Sequence, residues 1–511
     1  MKSLAKKPVN VLLLSTFVLI LLRTAWIGDD AYITMRTVDN LLSGYGPTWN
    51  VGERVQTFTH PLWMFLLTLA YGISHDAYLS LIGLSFLFST LTIFILLVHG
   101  SENNYSVLIG WLILMLSNAF VDYSTAGLEN PVSHLIALLF TLLYLHWGDQ
   151  LSHKRMLTLA LLAGLMILNR IDLFLLFLPA VIEVVVAKDT FHRFRIILIG
   201  FLPFFIWEVF SIIYYGFPFP NTYYAKLNTG IQESALIRQG FLYFFNSIAW
   251  DPITLLVTGV SITLSMLSEG RKEKMIALGM LLYLGYIVWI GGDFMSSRFF
   301  SVPLLCGVLL LLAFLNKITF FHKTAFLAVI IFVGSMSFSP SYSAPTSRDD
   351  ELENLTGISD EQAYYYPSTG LLRWGRTTSL PNQQWVNEGR ALRDQAVRVY
   401  VGTGIGFLGF NAGSKVHVID KFALSDPLLS HLPVKSKTKF LIGHFARAIP
   451  IGYIKTLETG ENHIADFGIA EYYEKLSLIT RGKIWSVERF LTIWKLNTGQ
   501  YDYLLAPKQI R

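Results

Sequence analysis

Two adjacent carboxylates, Asp29 and Asp30, directly follow the first apolar segment of this 511-residue chain. A charged group beside a membrane-length segment is costly unless it has a partner or a task. An aspartate can take the proton of a hydroxyl group as a general base. It can also cap a helix, because its oxygens accept hydrogen bonds from free backbone N–H groups of the first turn. Both roles stay open for Asp29, but capping accounts poorly for a second adjacent acid.

Loops far apart in the sequence contribute further ionisable residues, which are Glu129, Arg170, Asp172, Lys226, Asp293 and Arg298. Cationic groups neutralise phosphate charge, so the two arginines and the lysine would suit a phosphate or diphosphate. Each has a structural alternative: both arginines can pair with a nearby aspartate, and the lysine can extend to the membrane interface. Ionisable groups at membrane depth usually face a functional cavity. We therefore expect these groups to converge. Aromatic residues that can line a path for the substrate are Tyr32, Trp49, Trp63, Tyr223 and Tyr224.

The composition indicates an integral membrane protein. Hydrophobic residues make up 53% of the chain and charged residues 15%, with a mean hydropathy of +0.48, whereas soluble domains carry about a quarter charged residues. The net charge of +5 does not predict nucleic-acid binding, because the basic residues fall in short loops that orient helices. The single cysteine, Cys306, excludes disulfides within the chain and cysteine-based metal sites. No cofactor and no metal are predicted.

Eleven membrane-spanning segments are predicted from runs of apolar residues. The first run lacks the cleavage site of a signal peptide and is expected to remain in the protein. The runs are 9–27, 78–99, 106–121, 131–147, 157–168, 172–187, 196–215, 251–267, 275–290, 299–315 and 324–338.

Basic residues set the predicted orientation in the membrane. Lys2, Lys6 and Lys7 precede the first segment and place the N-terminus in the cytoplasm, and the predicted inner loops are basic as well. This pattern predicts a multi-pass membrane protein, with the segment after residue 338 outside the cytoplasm. Residues 61–74 are too short to cross and are predicted to form an interfacial helix anchored by Trp63 and Tyr71.

Two domains are predicted, a transmembrane module over residues 1–338 and an extracytoplasmic α/β domain over residues 339–511. The second part has the charge content of a soluble domain. Residues 397–401 and 416–419 alternate like strands, and residues 383–397 are predicted to form a helix. The Gly-rich turn at 402–406 could belong to a nucleotide site. A domain that covers the membrane site and helps hold the acceptor is favoured.

The sequence Gly28-Asp29-Asp30-Ala31-Tyr32-Ile33 in the first outer loop (28–77) resembles the GT-C superfamily of integral-membrane glycosyltransferases. Within it, the chain is most similar to the terminal arabinofuranosyltransferases of mycobacterial cell-wall synthesis and their bacterial relatives. The similarity keeps the same order through most of the chain. Matching segments are Arg36, Asn50 to Val55, Thr59 to Trp63, Gly127 to Glu129, Pro220 to Thr222, Tyr224 to Lys226, Gly291 to Met295, Arg298, Asp420, Asp426 to Leu429, Leu432-Pro433, Gly443-His444 and Pro450 to Tyr453.

The resemblance implies an α-helical GT-C fold in the bacterial inner membrane. It also implies a polyprenyl-phosphate sugar donor and inverting transfer to an outer-face glycan, lipid or protein. For this family the donor would be decaprenylphosphoryl-arabinofuranose. It also implies a catalytic aspartate in the first outer loop, with a slight preference for Asp29 over Asp30. The chain departs from the family at His60, where relatives often have a small residue, and at Ser430-His431, in place of a basic residue. Predicted substrate contacts are Tyr32, Arg36, His60, Glu129, Asp172, Asn221, Tyr224, Asp293, Asp420 and His444.

Three other functions remain open at this stage. A transporter or flippase for lipid-linked sugars would show internal repeats and broken helices near the membrane midplane. The sequence shows no such repeat, and its polar groups cluster at one face. A ligase-like transferase that uses a lipid diphosphate is the nearest enzymatic alternative. A noncatalytic glycan-binding protein is the third, and the intact acidic pair argues against it.

Overall fold

The structure is a computed structural model that describes residues 8–147, 152–186, 190–227, 229–345, 350–373, 380–437 and 441–505. Lys2, Lys6, Lys7 and Lys188, which carry part of the predicted orientation, lie outside these ranges. The first half of the chain contains α1 (Pro8–Thr24), α2 (Asp29–Leu42), α3 (Pro61–Ser74), α4 (Ala77–His99), α5 (Asn104–Leu116), α6 (Asn118–Asp122), α7 (Asn130–His146), α8 (His153–Asn169), α9 (Leu178–Val186), α10 (Thr190–Gly200), α11 (Leu202–Tyr214), α12 (Asn221–Leu227) and α13 (Glu233–Trp250).

The second half contains fewer long helices and the two strands. Its elements are α14 (Pro252–Leu267), α15 (Arg271–Ile290), α16 (Ser301–Leu315), α17 (Phe320–Gly334), α18 (Asp350–Thr356), α19 (Glu361–Thr369), α20 (Gln384–Asp394), β1 (Val399–Gly402), α21 (Ile405–Ala412), β2 (His417–Asp420), α22 (Tyr453–Thr459), α23 (Phe467–Arg481) and α24 (Val487–Asn497). Short 3₁₀ helices span Ile171–Leu176, Arg298–Phe300, Leu371–Arg373, Leu429–His431 and Asp502–Leu504.

The chain folds into two compact units, each assembled from three separate segments. Unit 1 consists of Met1–Gly28, Tyr78–Phe204 and Glu233–Asn382, and unit 2 consists of Asp29–Ala77, Phe205–Gln232 and Gln383–Arg511. The first outer loop and the C-terminal segment therefore belong to the same unit. The domain boundary after residue 338 stays a prediction.

Unit 1 is built from apolar helices of membrane length or shorter. Helix α16 is buried on almost every side and forms the centre of a core that includes Phe17 of α1, Leu114 of α5 and Leu138 of α7. Three described helices are long and apolar enough to cross a membrane, or up to six if each bent pair counts as one span. These helices support a multi-pass membrane protein, but the predicted count of eleven spans is not confirmed.

Unit 1 also contains a helix that the hydropathy pattern does not reveal. Helix α13 buries Tyr243, Ser247 and Trp250 on one side, and it meets α14 at an angle of 111°. The break falls at Asp251, and Pro252 opens the next helix, where a missing N–H costs nothing. The predicted segments 157–168 and 172–187 overlap α8 and α9, which are joined by the Ile171–Leu176 turn.

Unit 2 contains the predicted strands, helices and Gly-rich turn. β1 and β2 are parallel, with Val399 paired to His417 and Gly402 to Asp420, and α21 forms the crossover between them. Helices α20 and α2 both pack on α21. The interfacial role predicted for Trp63 is wrong, because its side chain is fully buried. The apolar residues that α3 does expose are Phe65, Leu69 and Ile73.

Candidate functional site

The Asp29 carboxylate is bound by the start of another helix of unit 2. Asp29 is the first residue of α2 and is 7% exposed. Its two oxygens accept hydrogen bonds from the backbone N–H groups of Gly406 at 2.9 Å and Phe407 at 2.6 Å, in the first turn of α21. Free N–H groups and the helix dipole favour a negative charge there. Asp29 thus caps α21 rather than its own helix.

The Gly-rich turn at 402–406 is shaped for this contact. A Cβ atom added to Gly406 would overlap the backbone carbonyl of Asp29, so only glycine permits the close approach of the two chains. The N–H groups that a nucleotide phosphate would need are those that Asp29 occupies. The turn is therefore a carboxylate-binding loop, and the nucleotide alternative has no support in the structure.

Asp30 differs from its neighbour in burial and in partners. Its side chain is partly exposed, and in the described part of the chain its carboxylate makes no hydrogen bond or ion pair. A general base must be able to reach the proton that it removes. A free, partly exposed carboxylate meets that requirement better than one that already accepts two backbone hydrogen bonds.

Asp420 brings a third carboxylate close to this pair within unit 2. Its oxygens accept the backbone N–H groups of Phe422 at 2.9 Å and Leu424 at 2.6 Å. Burial raises the pKa of Asp29 and of Asp420 to about 7, and the charge of Asp30 adds to the shift of both. The hydrogen bonds from the backbone oppose these shifts. The three acids therefore form one concentration of negative charge, referred to below as the acidic triad.

Asp426 stabilises the turn that follows β2. One of its oxygens accepts the N–H groups of Leu428 and Leu429, and the Tyr453 hydroxyl donates to the carboxylate at 3.1 Å. Burial raises the pKa of Asp426 to about 7. The sequence allows Asp426 either to reach toward the site or to stabilise the Asp426-Pro427 turn, and these contacts match the second role.

Arg36 holds the first outer loop to the C-terminal segment. Its guanidinium donates to the carbonyl oxygens of Trp49, Gly409 and Val416 and to the Asn50 side chain, at 2.5–3.2 Å, and it stacks on the Trp49 ring at 4.3 Å. The side chain is 2% exposed, and burial lowers its pKa to about 9. Its hydrogen bonds are all used within the protein, so the contacts favour a structural role over substrate binding.

Two further predicted substrate contacts on this loop are buried. The Tyr32 ring packs against Phe407 at 4.7 Å between ring centres. His60 Nε2 lies 2.8 Å from the Thr34 hydroxyl, and His60 is 8% exposed. Both side chains therefore pack inside unit 2, Tyr32 directly beside the helix start that binds Asp29.

Asn221 also uses its side chain within the protein. Its amide nitrogen donates to the carbonyl oxygens of Ala423, Leu424 and Asp426, and its oxygen accepts from Ser430. Tyr224 stacks on His431, with ring centres 5.3 Å apart, and His444 packs edge-on against Phe422. Lys226 is exposed, and it has no ion-pair partner among the residues that the structure describes.

Unit 1 contains a second cluster of predicted residues, centred on Glu129. Its carboxylate accepts from Arg170 at 3.1 Å and from Arg298 at 3.0 Å, and it is 1% exposed. Arg170 also forms a two-pronged pair with Asp172 at 2.9 Å, and Arg298 lies 3.5 Å from Asp293. Both structural pairings that the sequence allowed are present. The two arginines face three carboxylates, so their positive charges are already neutralised without a bound anion.

Sequence reasoning missed several residues that hold these groups. Phe407 donates to Asp29 through its backbone and could not be found from its side chain. Asn169 donates to the Glu129 carbonyl at 3.1 Å and to Ser133 at 2.9 Å, and the Phe299 ring lies 4.3 Å below the Arg170 guanidinium. The position of Asn169 directly before Arg170 was the one feature of the sequence that could have indicated its role. Within the described ranges, no group of three or more metal-ligating side chains is placed to hold a metal.

The chain is similar in sequence to two characterised enzymes, although no protein-family model matches it. The terminal β-(1→2)-arabinofuranosyltransferase of Mycobacterium tuberculosis is 27% identical over 522 aligned residues, covering 83% of this chain and 81% of that protein. The enzyme of the same name from Corynebacterium glutamicum is 28% identical over 329 residues, covering 55% of this chain and 46% of that protein. These similarities confirm the resemblance found in the sequence.

Two solved structures have a backbone similar to that of this chain. The oligosaccharyltransferase of Archaeoglobus fulgidus is 13% identical with a TM-score of 0.51, over 81% of this chain and 62% of that one. ArnT from Cupriavidus metallidurans, crystallised with undecaprenyl phosphate, is 12% identical with a TM-score of 0.46, over 80% of this chain and 84% of that one. Only the first of these likenesses has a TM-score above 0.5, and it supports a largely helical fold shared with that oligosaccharyltransferase.

Proposed function

We propose that this chain is an integral-membrane glycosyltransferase that moves a sugar from a polyprenyl-phosphate donor to an outer-face glycan, lipid or protein acceptor. The observation that carries this proposal is the similarity to a terminal arabinofuranosyltransferase over 83% of the chain. The name of that relative makes arabinofuranose the first donor sugar to test.

Asp30 is the proposed general base. Its partly exposed carboxylate takes the proton of the acceptor hydroxyl as the hydroxyl oxygen attacks the anomeric carbon. The bond from that carbon to the phosphate oxygen breaks, the polyprenyl phosphate leaves with the electron pair, and the configuration inverts. Asp29 is the proposed positioning residue, because it ties the start of α2 to α21 through two backbone hydrogen bonds.

The acidic triad supports the same chemistry electrostatically. Positive charge develops on the sugar ring as the bond to the leaving group breaks. Carboxylates held in place by the protein stabilise such charge without having to reorganise during the reaction. Asp29 and Asp420 are each held by two backbone N–H groups, so their positions are set in advance.

Cations for the lipid phosphate differ in how available they are. Lys226 is exposed and has no ion-pair partner in the described part of the chain, so it can bind an anion without breaking another contact. Arg170 and Arg298 are already paired with carboxylates in unit 1. Either arginine would have to give up one of these pairs to contact a phosphate. We therefore rank Lys226 first among the three predicted phosphate contacts.

The test supplies the purified protein with a panel of radiolabelled polyprenyl-phosphate sugars, including decaprenylphosphoryl-arabinofuranose, together with membrane extracts as a source of acceptor. We expect one donor to be consumed and its label to appear in a larger product. Consumption should stop in the Asp30→Asn variant. If every donor of the panel stays intact with the folded wild-type protein, the proposed transferase function is wrong.

Lys226→Ala provides the matching test for the donor site. We expect a higher KM for the donor and a lower kcat, because the lysine would contact the phosphate, which takes up the electron pair of the breaking bond. Lys455→Ala, on an exposed position of α22, is the matched control. An unchanged donor KM in Lys226→Ala would remove this residue from the phosphate site.

A further inference from the structure

Helix α24 of unit 2 is apolar on two opposite sides. One side packs into the core of unit 2 through Ile493 and Leu496. The other side carries Val487, Leu491 and Trp494, spaced like successive turns of one helical face, and these residues are 78%, 56% and 66% exposed. A helix at a water-facing surface normally has a polar outer side. Contiguous exposed apolar side chains of this kind indicate an interaction surface.

Arg489 joins α24 to the end of a second helix, α11. Its buried guanidinium donates to the carbonyl oxygens of Ile213 at 2.7 Å and Tyr214 at 2.9 Å, in the last turn of α11, and to that of Ile479 at 2.8 Å. Arg54 donates to the same Tyr214 carbonyl at 3.2 Å. The last carbonyl groups of a helix lack partners within the helix. Arg489 therefore holds the first turn of α24 directly beside the end of α11, and Arg54 binds the same end of α11.

The surface that α11 exposes is that of a helix in lipid. Residues 190–214 are apolar enough to count as one broken membrane span. The exposed side chains of α11 within unit 2 are all apolar and comprise Phe205, Ile206, Val209, Phe210 and Ile212. Since α24 starts where α11 ends, the apolar side of α24 continues a lipid-facing surface at the level where the span leaves the membrane.

A second helix at the same span shows the same pattern. Helix α3 exposes Phe65, Leu69 and Ile73 on one side, and Phe65 contacts Trp207 of α11 with ring centres 5.7 Å apart. Two short helices of unit 2 that touch α11 thus each carry an exposed apolar face. An apolar face of this kind lies at the boundary of headgroups and acyl chains in interfacial helices.

We propose that α24 is a membrane-interface helix, with Val487, Leu491 and Trp494 inserted among the lipids of the leaflet into which α11 ends. Trp485, next to the start of the helix, is 77% exposed and suits the headgroup region, where tryptophan is enriched. Lys495 is exposed beside the apolar face and can reach the lipid headgroups. The C-terminal segment is then a second membrane attachment rather than a freely soluble cap.

Site-specific fluorescence quenching in vesicles tests this proposal. Single cysteines replace Leu491, Trp494 or Lys495 in a Cys306→Ser background, and each carries an environment-sensitive fluorophore. Glu458→Cys, on the exposed side of α22, is the matched control. Phosphatidylglycerol–phosphatidylethanolamine vesicles contain nitroxide-labelled lipid, and iodide serves as the quencher from water.

We expect lipid-borne nitroxide to quench probes at 491 and 494 at least threefold more strongly than the probe at 458, with the opposite order for iodide. The probe at 495 leaves the apolar face intact, so it still tests the proposal if a change at 491 prevents folding. Lipid-borne nitroxide should quench the probe at 495 more strongly than the probe at 458. Equal quenching at all positions would overturn the proposal. Protection of 491 and 494 from both quenchers would also overturn it, because a protein partner would then cover the face.

Discussion

The two aspartates of the first loop should separate stability from catalysis when each is changed to asparagine. Asp29 accepts two backbone hydrogen bonds at the start of α21. In Asp29→Asn, one carboxylate oxygen becomes an NH₂ group that faces a backbone N–H donor. The loss of one hydrogen bond to a charged group costs about 1.5–3 kcal/mol. At about 2–4 °C per kcal/mol, the unfolding temperature should fall by roughly 3–12 °C.

Asp30→Asn should have the opposite profile. The Asp30 carboxylate has no hydrogen-bond partner in the described ranges, and its charge repels those of Asp29 and Asp420. Its removal should leave the unfolding temperature unchanged or slightly higher. Loss of a general base slows a reaction by about 10²–10⁴-fold, so the transfer rate should fall by that factor.

Thermal unfolding in detergent and transfer of radiolabelled sugar from the donor measure both effects on the same preparations. Asp39→Asn is the matched control, because Asp39 lies on the same helix and accepts one hydrogen bond from Tyr71, outside the acidic triad. Its transfer rate should stay near that of the wild type. A fully active Asp30→Asn, or an Asp29→Asn that is as stable as the wild type yet inactive, would refute the assignment of roles. Full activity in both variants would remove the pair from catalysis.

Three further predictions concern stability. The pKa values of Asp29 and Asp420 are raised to about 7 from 3.8. Their contribution to stability is therefore present below about pH 4 and is lost as the pH rises through 7, by at most about 4 kcal/mol each. The unfolding temperature should be lower at pH 8 than at pH 5, and Asp420→Asn should reduce this difference. Gly406→Ala should prevent stable folding of unit 2, because the added Cβ atom would overlap the Asp29 backbone. Gly285→Ala is the control, because no atom lies near its added Cβ atom. In detergent-stability and proteolysis assays, Gly285→Ala should behave like the wild type. Glu129→Gln should lower the unfolding free energy by about 3–5 kcal/mol, because two buried arginines lose a charged partner, and a smaller change in a denaturant titration would mean that the remaining carboxylates compensate.

Local patterns in the sequence predicted the elements whose signal is local. Tyr32, Met35 and Val38 recur at helical spacing and lie on α2. The alternating residues near 399 and 417 form β1 and β2, and Arg170 pairs with Asp172, two residues away. Helix α13 was missed because polar residues on its buried side, such as Asn246, lower its hydropathy. Trp63 was placed at the interface from residue type alone, which cannot show which side of a short helix faces the core.

Contacts between distant parts of the chain could not be predicted from the sequence, for a physical reason. The partners of Asp29 are backbone N–H groups 377 and 378 residues away, and a backbone donor has no residue type that a sequence could reveal. The Gly-rich turn did indicate an anion site at a helix start. The anion is the chain's own carboxylate, which no local pattern distinguishes from a phosphate.

These long-range contacts give the C-terminal segment a larger role than the cover that the sequence predicted. A domain that only covered the site could be removed with loss of acceptor binding alone. Here Asp29 depends on Gly406 and Phe407, and the Arg36 guanidinium donates to carbonyl groups at 409 and 416. Both contacts act on α2, the helix that carries Asp30. The position of the proposed base is therefore set by residues of the C-terminal segment, so changes in that segment should act on the rate of the chemical step as well as on acceptor binding.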